Sequence, residues 1–215
     1  MTSPTATQSP AALSSKASSP LPIVEMFHSI QGEGSWTGTN AFFIRLAGCD
    51  VGCPWCDTKH SWNPKRQPQR EIDELVAAAQ AANPQIVVIT GGEPLMHDLT
   101  VLTQQLQVEG LQVHLETSGA HPLSGNFDWV TCSPKRFKPP HPSIYPHVSE
   151  LKVVIADESD LEWAEQQAAQ VPPTAVKLLQ PEWETPGSQE IVFSYVLKHS
   201  EWRVSLQTHK FLGVQ

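Results

Sequence analysis

Three cysteines within eight residues, Cys49-Asp50-Val51-Gly52-Cys53-Pro54-Trp55-Cys56, constrain this chain more than any other feature. Three and then two intervening residues place three thiolates on one tight loop, close enough to wrap a cubane iron–sulfur cluster. Three protein ligands leave one iron open, whereas a site that only carries electrons or holds structure normally takes four. Four cysteines, three of them bunched, do not form an even disulfide framework, and a reducing compartment would not keep one. The competing reading is a zinc knuckle completed by a remote ligand such as His60 or Cys132. Cys132 sits near a strand end, where a cysteine reads better as a small buried residue.

The rest of the chain frames a globular enzyme around that loop. Its 215 residues, 40% hydrophobic and 17% charged, suit one soluble domain with a real core. No stretch reaches the apolar length of a membrane span and the start lacks the form of a secretory signal, so a cytoplasmic protein is expected. A net charge of -8 argues against nucleic acid as a partner, because such binding is mostly phosphate electrostatics. A small-molecule substrate fits better. Residues 1–20 are almost entirely Ser, Thr, Ala, Pro and Gln and read as a disordered tail. Lys16 is the one basic residue there, too few for a transit peptide. Residues 21–215 are left as the catalytic domain.

Short apolar runs alternate with helical patterns along that domain. Ala41–Leu46, Ile86–Ile89, Gln112–Leu115, Trp129–Thr131, Leu151–Ile155, Val176–Leu179 and Arg203–Leu206 read as strands; Glu71–Ala82, Leu99–Val108, Ser159–Gln170 and Glu190–Lys198 read as helices. Strands apolar on both faces and separated by helices predict an α/β fold with a parallel sheet, open or closed into a barrel. Gly48-Cys49, Thr90-Gly91-Gly92-Glu93-Pro94, Glu116-Thr117-Ser118-Gly119, Ser133-Pro134-Lys135, Gln180-Pro181 and Gln207-Thr208-His209-Lys210 each follow a strand. In parallel α/β folds such loops share the carboxyl edge of the sheet, so one convergent site is expected there. Turns and helix caps use the same residue types. The segment from Pro134 to Pro146 has no assignable place.

The cysteine spacing resembles the signature of the radical S-adenosylmethionine superfamily. That resemblance implies a partial (β/α) barrel of about six parallel strands, a four-iron, four-sulfur cluster on Cys49, Cys53 and Cys56, and S-adenosylmethionine chelated to the open iron. It places Trp55 beside the adenine, although alone Trp55 reads equally as a core or surface residue. Thr90-Gly91-Gly92-Glu93-Pro94 resembles the superfamily's second-strand motif, where glycine lets the backbone approach the cofactor's ammonium end.

Phe27 to Gly34, Arg45, Cys56-Asp57-Thr58 and the ending Leu206 to Gly213 are together similar to the 7-carboxy-7-deazaguanine synthase family. The resemblance implies contraction of 6-carboxy-5,6,7,8-tetrahydropterin to 7-carboxy-7-deazaguanine with loss of ammonia, in the 7-deazapurine route to queuosine. S-adenosylmethionine is regenerated in that reaction. An amide and a carboxylate can read the guanine-like edge of the pterin, and a guanidinium can hold its carboxylate bidentately. Gln31 and Glu33 suit the first role and Arg45 the second; the plain alternative for Gln31 and Glu33 is a polar turn. By resemblance Ile30, Gly32, Thr90, His209 and the carboxylate of Gln215 also reach substrate. Thr58 matches a Mg2+ ligand, and Trp55, Cys56, Asp57, Gly92, Ser133, Pro134, Lys135 and Gln180 match cofactor contacts. Glu116 and Ser118, with Thr117, are weaker cofactor candidates, because they could cap the next element. A homodimer and a flavodoxin- or ferredoxin-like electron donor are implied partners. A glycyl-radical activase shares the cysteine spacing but has no need of Gln31 to Glu33 or of the Gln-x-His-Lys ending.

Replacing Cys49, Cys53 or Cys56 by Ala is expected to abolish activity and remove most of the iron from anaerobically purified protein, whereas Cys132→Ala does neither. Loss of iron from Cys132→Ala would overturn the three-cysteine assignment.

Overall fold

The computed structural model describes residues 19–215, so the expected tail lies, through residue 18, outside the described residues. One nine-stranded sheet organises the chain, in the order β3-β1-β2-β4-β5-β6-β7-β8-β9. Its strands are β1 (Leu21–Ile30), β2 (Asn40–Leu46), β3 (Gln69–Arg70), β4 (Ile86–Gly91), β5 (Gln112–Thr117), β6 (Trp129–Cys132), β7 (Glu150–Ile155), β8 (Val176–Pro181) and β9 (Trp202–Val204). From β2 through β9 the pairings are parallel, while β1 runs antiparallel to both β2 and β3. The sheet is open, with seven parallel strands where about six were expected.

The apolar runs are explained by burial on both faces. In β4, Val87 and Ile89 join the main core, while Ile86 and Val88 join Ala41 and Phe43 in a second cluster on the opposite face. The main core receives Leu75 from α1 (Ile72–Ala82), Leu102 from α2 (Thr100–Val108), Ala164 from α3 (Ser159–Ala168) and Val192 from α4 (Ser188–Val196). Helix α1 shows the local logic. Ile72, Leu75, Val76 and Ala79 recur at helical spacing and are buried, Asp73 and Glu74 sit in the first turn where the helix dipole favours anions, and Asn83 ends the helix in a left-handed conformation at φ 46°.

Three features depart from the sequence reading. The ten-residue β1 was not expected, because an antiparallel strand at one end of the sheet is only partly covered and its polar Glu25, His28 and Ser29 break the apolar run. The last strand is Trp202–Val204, not Arg203–Leu206: Trp202 is the buried anchor and Leu206 is exposed. The Pro134–Pro146 segment is tied down. Its Ile144 and Tyr145 enter the core, His141 N–H donates to Gly119 O at 2.7 Å, and Tyr145 OH donates to Gln167 Oε1 at 2.7 Å.

Candidate active site

At the carboxyl edge of the parallel strands the loops enclose a cavity of about 700 Å³. The loop after β2 brings Cys49, Cys53 and Cys56 to its wall, each half-buried. That loop is pinned by Gly48 N–H to Ser61 O at 2.8 Å and Cys49 N–H to Trp62 O at 3.2 Å. Burial, as the largest influence, pushes the Cys49 and Cys53 thiols above their ordinary value, so positive charge from bound iron is what would hold them as thiolates. Among the described residues no three His, Cys, Asp or Glu side chains converge as a single-ion site requires. A cubane needs no such convergence, since each thiolate binds a different iron. Three thiols on one loop are a donor set that suits such a cluster. Cys132 is fully buried, with Sγ 3.8 Å from Ser118 O, and does not line the cavity.

The glycine pair after β4 is packed onto this loop. A Cβ at Gly91 would strike the Leu46 backbone, and one at Gly92 would strike the Gly48 carbonyl and Cys49 Cβ. Gly92 N–H donates to Leu46 O at 3.0 Å, and Glu93 N–H donates to Gly48 O at 2.7 Å. The fully buried Glu93 carboxylate then accepts from Leu95 N–H (3.0 Å), Thr117 Oγ1 (2.5 Å), Ser118 N–H (2.8 Å) and Ser118 Oγ (2.5 Å). One carboxylate thus locks the loops after β4 and β5 together, and Thr117 and Ser118 serve it while also facing the cavity.

The opposite wall is polar. Lys152 Nζ, on β7, lies 2.6 Å from Glu33 Oε2 and 3.0 Å from Glu116 Oε2. Gln31 Nε2 donates to Glu116 Oε1 at 3.2 Å, and Gln207 Nε2 donates to Glu33 Oε1 at 2.9 Å. Burial opposes ionisation of both carboxyls. Lys152 and Gln207 overcome it at Glu33, which is lowered to about 2. At Glu116 burial, with the neighbouring charges of Glu33 and Glu150, prevails over Lys152 and raises it to about 7.

The chain's last described residues close this wall. Thr208 N–H donates to Gly32 O at 2.8 Å and starts α5 (Thr208–Leu212). The His209 ring lies where a Cβ on Gly32 would be. Ser29 Oγ donates to Gln215 O at 2.6 Å, Gln215 Nε2 donates to Glu25 Oε2 at 2.6 Å, and Arg45 Nε donates to Glu25 Oε1 at 2.7 Å. A frayed ending beyond β9 is excluded by these contacts.

The remaining expected residues, Ile30, Trp55, Asp57, Thr58, Thr90, Ser133, Lys135 and Gln180, also line the cavity. Pro134 is buried and does not line it. Lys135 Nζ donates to Ser133 O and Oγ, both at 2.7 Å, and Thr58 Oγ1 lies 3.6 Å from Cys56 Sγ. Sequence reasoning missed Lys152, and it placed Gln207 in the ending that joins the site without giving its side chain a role. Lys152 had a signal: a lone lysine inside a strand apolar on both faces is rarely buried without a partner.

Comparison with known proteins agrees with this geometry. The radical SAM superfamily model matches residues 43–138. The chain is 57% identical to a 7-carboxy-7-deazaguanine synthase from Synechocystis sp., over 90% of this chain and 93% of that one. It is 34% identical to the Escherichia coli enzyme of that name, over 90% and 98%. The crystal structure of QueE from Escherichia coli superimposes with a TM-score of 0.79 at 33% identity, covering 88% of this chain and 94% of that one.

Glu93→Ala removes a buried hub with four hydrogen bonds and is expected to cost about 3 kcal/mol, read as a lowered unfolding midpoint in denaturant. A midpoint equal to wild type would show that the two loops hold without it. Between pH 4.5 and about 7, folded Glu116 keeps a proton that the unfolded chain has lost, so this group's contribution to stability falls as pH rises through that window. Glu33 acts in the opposite sense, and its contribution is lost as pH falls below 4.5 towards about 2. Glu116→Gln is therefore expected to flatten the decline in thermal stability between about pH 5 and pH 7, and superimposable Tm profiles would contradict the placement of Glu116.

Proposed function

The chain belongs to the 7-carboxy-7-deazaguanine synthase family, and from that premise we propose that its cavity contracts the ring of 6-carboxy-5,6,7,8-tetrahydropterin, releasing ammonia and 7-carboxy-7-deazaguanine. Membership of the radical SAM superfamily brings a four-iron cluster and S-adenosylmethionine, which when bound supply a deoxyadenosyl radical for hydrogen abstraction. The observation that carries the reading is that one cavity is lined both by the three thiols with the glycine pair and by Gln31, Glu33, Glu116 and Lys152.

In this reading, Cys49, Cys53 and Cys56 hold the cluster, and Trp55, Asp57, Gly92, Ser133, Lys135 and Gln180 seat the cofactor. Glu33, ionised and fixed by Lys152 and Gln207, accepts hydrogen bonds from the pterin's donor edge, and Gln31 reads the adjoining acceptor. Arg45 has five donors, of which Nε serves Glu25, and the others suit the substrate carboxylate. Ile30, Gly32, Thr90, His209 and Gln215 complete that wall. Glu116 lies between Gln31 and Lys152, and we assign it to the pterin side; a carboxyl group that titrates near neutrality suits proton transfer as ammonia leaves.

Thr58, on the cavity wall beside Cys56, is the proposed Mg2+ ligand, since magnesium takes few protein oxygens and keeps several waters. Residues 21–215 form a single catalytic domain in this reading, which also includes a homodimer, a flavodoxin- or ferredoxin-like donor and a cytoplasmic setting. No helix among the described residues is long and apolar enough to cross a membrane. The docked ending Gln207 to Gln215 favours a small substrate over a protein glycine, as an activase would need.

Anaerobic protein given the carboxy-tetrahydropterin, S-adenosylmethionine, reductant and magnesium is expected to form 7-carboxy-7-deazaguanine; a cluster-loaded protein that forms none refutes the reading. Thr58→Ala is expected to lose most of the magnesium stimulation with its iron content unchanged, and identical magnesium titrations for variant and wild type would remove Thr58 from the site.

A further inference from the structure

The side-chain amide of Gln207 meets Glu33 with its nitrogen, and Lys210 decides that orientation. Gln207 precedes α5 and Lys210 lies within its first turn, so the main chain folds Lys210 back over Gln207, with Lys210 N–H donating to Gln207 O at 3.0 Å. The side chains meet as well: Lys210 Nζ donates to Gln207 Oε1 at 2.8 Å. An ammonium group has donors only, so the amide oxygen must face it and the amide N–H donors must face the other way. There Nε2 finds Glu33 Oε1 at 2.9 Å. Turning the amide over would set N–H against ammonium and oxygen against carboxylate, replacing two attractive contacts by two repulsive ones.

Lys210 is itself seated. Its ammonium pairs with no carboxylate among the described residues. Instead Nζ lies 4.9 Å from the centre of the Trp183 ring, whose face attracts a cation. Trp183 sits on the loop after β8, and that loop is tied down through its neighbour Glu182. Glu182 N–H donates to Ile155 O at 2.8 Å, its Oε2 accepts from Glu184 N–H at 3.1 Å and from Thr185 Oγ1 at 2.5 Å, and its main-chain O accepts from Ser188 Oγ at 2.8 Å. Phe211, the next residue of α5, sets its ring edge-on to Trp183 with centroids 5.2 Å apart. A line of contacts therefore runs from the loop after β8 through Trp183, Lys210 and Gln207 to Glu33, separate from Lys152.

We propose that Lys210, seated on Trp183, is a positioning residue for substrate recognition: by fixing the Gln207 amide it holds one oxygen of Glu33 while Lys152 holds the other, so that the carboxylate meets the pterin in a single orientation. This rests on the reading of Glu33 as the group that accepts from the pterin's donor edge. A carboxylate held at one oxygen alone can swing about that contact. Here Lys152 Nζ restrains Oε2 at 2.6 Å and Gln207 Nε2 restrains Oε1 at 2.9 Å, which leaves the remaining lone pairs aimed at the cavity. Lys210 borders the same cavity, but its effect passes through Gln207.

A double-mutant cycle on the cluster-loaded full chain tests this, read as affinity for the carboxy-tetrahydropterin by anaerobic titration calorimetry. Lys210→Met keeps the apolar stem and removes the donors, and it is expected to weaken binding about fivefold or more, as loss of one hydrogen bond does. Gln207→Met is expected to do the same. The Lys210→Met/Gln207→Met pair is expected to bind within about twofold of Gln207→Met alone, because Lys210 then has nothing to act through. Lys210→Arg keeps donors toward Gln207 and a cation over Trp183, and is expected to bind as wild type does. Iron content equals wild type in every variant. Losses that multiply in the pair would mean that Lys210 acts on the substrate directly or by net charge, and they overturn the proposal. Wild-type affinity in Lys210→Met overturns it too, as does an Arg variant as weak as the Met variant. Absence of pterin binding by the wild-type protein would instead overturn the reading of the cavity, and this proposal with it.

Discussion

The site depends on an ammonium group with almost no water. Lys152 projects from β7, whose one other charged residue is Glu150; its side chain is 5% exposed, and it stays charged because Glu33 and Glu116 are within 3.0 Å. Burial alone would drive its proton off; the two carboxylates and Glu150 hold it on, well above the ordinary lysine range. Such an arrangement contributes little net stability, since desolvation of the ions offsets their attraction. Its effect is positional. Glu33 must lie where Lys152 is, so the turn after β1 is drawn over the sheet edge with Gln31 and Gly32. The main-chain oxygen of Gly32 then receives Thr208, and the ending of the chain follows.

Glu93 plays the corresponding part in the other half. It is buried under the loops rather than at the cavity, and it joins the glycine pair to Thr117 and Ser118 while its own N–H reaches Gly48. The cysteine loop, the glycine loop and the loop after β5 are thereby held at set spacings before any cofactor arrives. Preorganisation of this kind matters for radical chemistry, where loosely placed groups would offer the radical the wrong hydrogen. The two acids differ in what they hold: buried Glu93 binds neutral donors within the scaffold, whereas partly exposed Glu33 shares a lysine with a second carboxylate and faces the cavity.

Much of this was legible in the chain because it is written in local spacing. The three cysteines, the Gly-Gly-Glu after an apolar run, the polar Gln31-Gly32-Glu33 turn and the Gln-x-His-Lys ending each sit within a few residues. Parallel strands then bring such segments to one edge whatever their distance along the chain. Three kinds of information were not local. β1 owes its form to pairing with β2, and its sequence alone alternates poorly. Lys152 gains its meaning from partners 119 and 36 residues away. The Pro134–Pro146 segment has no periodicity, and its place follows from Ile144 and Tyr145 filling the core and from Lys138 meeting Asp50.

The central claim is that one buried cation positions the carboxylate that selects the substrate, separately from the cysteine half of the cavity. Glu33→Gln keeps the shape, removes the charge that Lys152 holds, and reverses one hydrogen-bond partner toward the pterin. A hydrogen bond to a charged group contributes about 1.5–3 kcal/mol, or roughly tenfold or more in affinity. Calorimetric titration of the carboxy-tetrahydropterin into cluster-loaded protein under anaerobic conditions measures this directly. The account predicts at least tenfold weaker substrate binding by Glu33→Gln, with iron content and S-adenosylmethionine affinity equal to wild type. Wild-type substrate affinity in that variant would contradict it.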